Sequence, residues 1–137
     1  MANTVLNVSA DDPNFTVMGS AARIATPDTV EVVVDRRGFG IRGLLLVVDV
    51  TAIDASPSVV VMVQGVDRTS GKLFPASPGI LSSAAIVATG TTTMKIGPDL
   101  AAAANVTALD YLPPVFRITA THADADSITY SIGGMIF

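Results

Sequence analysis

Cysteine and tryptophan are absent from this chain, and histidine occurs once. Without cysteine there is neither a disulfide framework nor a thiolate metal site. Without tryptophan, and with only two tyrosines, the chain lacks the ring platform on which a sugar face stacks. Charge is scarce as well: 15% of residues are charged, the net charge is -4, and no basic run occurs. The electrostatic footprint of a nucleic-acid binder is therefore missing. Apolar runs such as 44–48 and 59–63 are far shorter than the roughly 20 residues of a membrane-spanning helix. Residues 1–10 carry no positive charge and no apolar stretch, so they do not read as a secretory signal. With no internal repeat and no linker, the reading is one domain, 1–137, long enough to bury about two-thirds of its unfolded surface.

What is present is apolar. Half the residues are hydrophobic, whereas about a quarter of a soluble domain is ordinarily charged. With no spanning helix to absorb that excess, the expectation is apolar surface buried between chains, in a small homo-oligomer or against a partner.

Val, Ile and Thr dominate the apolar segments, and Gly, Pro, Asp and Ser punctuate them, which is the pattern of strands. In 29–35 Val30, Val32 and Val34 face one way. In 41–53 Leu44, Leu46, Val48 and Val50 share a face, while Leu45 and Val47 oppose them, so a central strand covered on both sides is expected. Residues 55–58 turn the chain, 59–66 return it, and 67–71 turn it again. Residues 72–83, with Pro75, Pro78 and Gly79, read as an exposed loop, and 84–88 and 92–96 as short strands around Gly90. Residues 101–104 have helical appetite for one turn at best. The clearest hairpin joins 116–121, through a turn at 123–126, to Ile128, Tyr130, Ile132 and Ile136. The fold class is all-β, a β-sandwich, jelly-roll-like, of about seven or eight strands. Residues 1–15 are set apart by Asp11, Asp12 and Pro13, and two readings stay open: an extended arm that adds to a neighbour's sheet edge, or a disordered tail.

Gly38, Gly40 and Gly43 match a dinucleotide-binding glycine pattern, but the chemistry needs a helix N-terminus after them. Here 44–50 continues as a strand, so the glycines read as a turn or bulge. His122, Asp124 and Asp126 sit two apart at the expected tip of the last hairpin. One His with two exposed carboxylates lacks the converging ligands of a structural metal site, and Asp is a common turn former. A surface His122 replaced by Ala is expected to leave stability nearly unchanged. The other carboxylates fall mostly in turns, and Glu31 and Asp35 share a face open to solvation, so no desolvated acid–base pair is implied. No catalytic residue, cofactor or metal ligand is assigned, and the chain reads as a non-enzyme. Sequons at Asn7, Asn14 and Asn105 read as chance matches in a Thr-rich sequence. Arg36, Arg37 and Phe39 are the interface candidates, because Arg and aromatic anchors carry binding energy at protein contacts.

One longer pattern runs from Arg42 through Thr51, through Val61–Asp67 and Ser70–Lys72, through Ala88–Thr92 and Ile96–Pro98. It closes on Leu112-Pro113-Pro114-Val115-Phe116-Arg117-Ile118 and Thr129–Gly133. Over about residues 36–137 it resembles small virion proteins of tailed bacteriophages, encoded among the head genes and similar to capsid decoration (cement) proteins. The resemblance implies a sandwich or jelly-roll subunit, often a trimer, that binds the major capsid protein from outside and reinforces the lattice. It implies no nucleic-acid or membrane partner, and synthesis in the host cytoplasm before assembly into the virion. A tail or connector protein, or a carbohydrate-binding sandwich module, is the alternative.

Overall fold

The computed structural model describes residues 4–9, 11–24, 28–35 and 43–137. Its strands are β1 (Thr4–Ser9), β2 (Asn14–Arg23), β3 (Asp28–Asp35), β4 (Leu44–Ile53), β5 (Val59–Val66) and β6 (Leu73–Phe74). They continue as β7 (Leu81–Ser82), β8 (Gly90–Gly97), β9 (Thr107–Leu109), β10 (Val115–His122) and β11 (Ile128–Ile136). Among the described residues there is no helix, so the all-β expectation holds. The count of 11 exceeds the expected seven or eight because β6, β7 and β9 are only two or three residues long. β6 and β7 fall in the segment expected as loop, where they pair with β5.

The strands form two sheets. One runs β1-β3-β10-β5-β6, with β7 also on β5; the other runs β2-β11-β4-β8-β9. From β1 to β5 successive strands alternate between the sheets, β6 and β7 stay with β5, β8 and β9 share the other sheet, and β11, the last strand, lies between β2 and β4. That is the order of a jelly roll, with β6 and β7 as a broken outer strand. β1 and β9 are added at opposite margins in parallel to β3 and β8. Thr4–Ser9, left open by the sequence, thus completes an edge of its own chain's sheet.

Two connections expected as hairpins cross between the sheets. β4 and β5 lie in different sheets, and so do β10 and β11. Alternation shows which side chains face the core, but any strand of the opposite sheet satisfies the same alternation. The two crossings run side by side and bond to each other: Asp54 N–H donates to Ser127 O (2.9 Å) and Ala123 N–H to Ser58 O (3.0 Å). The Asp126 carboxylate accepts from Ser56 N–H at 3.0 Å. Tight reversal survives at 67–72, where the exposed Asp67 carboxylate accepts from the Ser70 hydroxyl (2.6 Å) and Thr69 N–H (3.1 Å). Those two bonds hold its pKa below the ordinary carboxylate value.

The core lies between the sheets. Val30, Val32, Phe116, Ile118, Val61 and Val63 of one sheet face Leu44, Leu46, Val48, Tyr130, Ile132 and Met94 of the other, all buried. Each buried aliphatic side chain contributes about 1.5–3 kcal/mol over its exposed state. The inward face of 44–50 matches the sequence reading, and β4 is central in its sheet. Its outward Leu45 and Val47 are only half-buried, beside Phe15 and Met135, so among the described residues the cover expected on that side is partial.

Candidate assembly surface

The one histidine is not at a hairpin tip. His122 is the last inward position of β10, in step with Phe116, Ile118 and Ala120, and is 8% exposed. Its Nε2 lies 3.0 Å from the Tyr130 hydroxyl across the inter-sheet gap. Tyr130 in turn lies under the Arg23 guanidinium, 4.6 Å from ring centroid to Cζ. Arg23 donates to Gly19 O and Tyr130 O, each at 2.6 Å, beside a break in the β2–β11 register. Extra residues in β2 leave carbonyls out of step with the ladder, and the guanidinium supplies their donors. The group links the two sheets and closes that end of the core. Asp124 and Asp126 do not join it. Asp124 accepts from Asp126 N–H within the turn, and Asp126 is engaged with Ser56. Among the described residues no three His, Asp or Glu side chains converge on a point that holds a cation.

Gly38, Gly40, Arg36, Arg37 and Phe39 lie outside the described residues. Gly43 is described: its N–H and C=O both bond Phe137 at the entry to β4, a strand where a phosphate loop needs a helix.

The feature that stands out is a flank of the sandwich where the β5 edge of one sheet approaches the β8–β9 edge of the other. Two segments build it, 80–92 and 100–111. The first contributes Ile86, which bonds Val59 on both backbone groups, and this single bridge replaces the strand expected at 84–88. The second folds back at Ala103, whose N–H and C=O both bond Thr107. Four alanines are too few to nucleate a helix, and Asn105 ends the run with φ 63°. Asn105 Nδ2 then donates to Ser82 O at 3.0 Å, tying the segments together.

Two open depressions, of ≈ 360 and ≈ 430 Å³, lie on either side of this tie. Ile80, Ala103 and Ala108 line the first, and Ala85, Val87 and Val106 the second. Val87 is 55% exposed, Val106 48%, Leu109 58% and Tyr111 70%. Charge is scarce here: from Leu73 to Met94 and from Leu100 to Leu109 no residue is charged, and Asp110 is the one charged residue of the two segments. Both charge-free stretches are visible in the sequence, and their meeting on one flank is not. An exposed apolar surface depleted of charge is the composition of an interface centre. Its chemistry offers apolar contact and shape. No protein-family model, no curated protein and no solved structure matches this chain.

Proposed function

We propose that this protein is a structural subunit of a virion: a non-enzymatic jelly-roll decoration protein that assembles with its own copies and binds the outside of a tailed-phage capsid. The observation that carries the reading is the charge-poor flank with Val87, Val106, Leu109 and Tyr111 exposed. Water contact with such a surface is unfavourable, and burying it against another chain removes the cost. The resemblance over about 36–137 supplies the finer assignment: the major capsid protein as partner and a trimer as the free form. A lattice repeats each contact many times, so modest apolar patches suffice through multivalency. Jelly rolls are frequent in virion proteins, which agrees with the reading without deciding it.

The test is to purify the phage particles whose genome encodes the chain and locate it by cryo-electron microscopy. Copies of this fold are expected at symmetric positions on the outer capsid surface. Absence of the chain from the particle, or density confined to the tail or connector, overturns the reading.

A further inference from the structure

Alternation along β1, β3, β10 and β5 sends one set of side chains inward and leaves the other on the outer face of that sheet. Among its described side chains, only Glu31 and Arg117 are charged there, and they are register partners on adjacent strands. The row across the face reads Val5, Glu31, Arg117, Gln64. Val33, Val60, Met62 and Thr119 flank it, half-buried, where a sheet face meeting water ordinarily carries several charges. Arg117 Nη2 meets Glu31 Oε1 at 3.4 Å, with the two side chains 21% and 14% exposed. That contact is long, and the Arg117 Nε is shielded with no acceptor. The guanidinium fork therefore has donors to spare.

We propose that this face is a two-fold contact between two copies of the chain. A two-fold axis between Glu31 and Arg117 sets each residue over its opposite on the second copy, as an isologous interface requires. The whole chain carries a net charge of -4, so copies repel at long range. On this face the charges of Glu31 and Arg117 cancel, and turned on themselves they attract. Residues 75–79 of the same chain lie over Met62 and Gln64, so at about 4.8 Å between strands and 3.3 Å per residue, β1, β3, β10 and the rest of β5 offer roughly 400 Å² per copy. Two copies then bury roughly 800 Å², below the size of a stable contact, so the pairing is weak, transient and concentration-dependent. The proposal rests on the self-assembly reading and deepens it by naming a second surface, separate from the charge-poor flank.

The experiment uses Glu31→Arg and Arg117→Glu, each in the full chain, followed by sedimentation and native mass spectrometry. Each reversal gives the face two like charges, and each is expected to weaken two-fold pairing by tenfold or more. Mixed in equal amounts, the two variants should form a mixed dimer, because one face is doubly positive and the other doubly negative. A pair that mattered only within one chain gains nothing from mixing. If either variant fails to fold, Thr119→Cys in the otherwise cysteine-free chain replaces it. A short bifunctional maleimide should then join copies through Thr119→Cys and not through Thr93→Cys on the other sheet. Variants that do not pair on mixing, or equal cross-linking at both cysteines, overturn the proposal. An oligomer indifferent to both reversals removes this contact and leaves the self-assembly reading standing; a wild-type chain monomeric throughout removes both.

Discussion

Tyr130→Ala is expected to lower the free energy of unfolding by about 3–5 kcal/mol, the range for deleting a large buried aromatic side chain. Tyr130 is 1% exposed and is among the largest fully buried side chains. Its ring fills the inter-sheet space at the end of the core, its hydroxyl meets His122, and its face carries the Arg23 guanidinium. Removing it opens a cavity between sheets whose separation other side chains fix, so collapse into the space is limited. Tyr130→Phe keeps the ring and removes one hydrogen bond, for an expected loss of about 1 kcal/mol. His122→Ala should cost about 2 kcal/mol through lost packing and the same bond. This replaces the near-neutral outcome expected of a surface histidine. Urea unfolding midpoints decide the series. Equal midpoints for Tyr130→Ala and wild type would show that the sheets are not joined there.

Gly79→Ala is the second change with a large expected effect. Gly79 has φ +75°, a left-handed conformation that L side chains rarely adopt. A Cβ built there stands 2.6 Å from Val63 O and 3.0 Å from side-chain atoms of Gln64 and Met62. Gln64 and Met62 can rotate away, but the carbonyl belongs to β5 and accepts the Ile80 N–H at 2.9 Å. The alanine therefore meets backbone strain and displaces a bond that holds β7 to the sheet edge. Together these give an expected loss of roughly 2–3 kcal/mol. Gly71→Ala is the comparison. Gly71 shares the φ of +75° but has open space where its Cβ would stand, so only the strain applies, at about 1 kcal/mol. A Gly79→Ala midpoint no lower than that of Gly71→Ala would mean the carbonyl yields freely.

Inward faces are legible in the sequence because period-two alternation depends only on neighbouring residues. Leu44, Leu46, Val48, Val50, Ile128, Tyr130 and Ile132 all face the core as that pattern requires. The same pattern, extended two residues beyond Ala120, places His122 inside. The turn residues Ala123 to Asp126 beside it carry the opposite signal, and the strand persists to His122 despite them. Partner choice is not legible. The runs on either side of 54–58 and of 123–127 look like hairpins, and only inter-sheet hydrogen bonds such as Ala123 to Ser58 reveal crossings. The glycine pattern ending at Gly43 is decided by β4, since a strand cannot offer the converging amides of a helix start. The proposed assembly surface is half visible. The apolar excess points to a buried contact, whereas Arg36, Arg37 and Phe39, the anchors that residue type nominates, lie outside the described residues. The charge-free stretches from Leu73 to Met94 and Leu100 to Leu109 carry the clearer signal, and the Asn105–Ser82 bond brings them together.

A chain that works by assembling must change mass with concentration, and sedimentation of the purified wild-type protein over a wide concentration range reads this out. At micromolar concentration the expected mass exceeds the 14.0 kDa of one chain. On dilution it should fall toward that value as reversible contacts separate. A mass of one chain at every concentration would contradict self-assembly of the free protein.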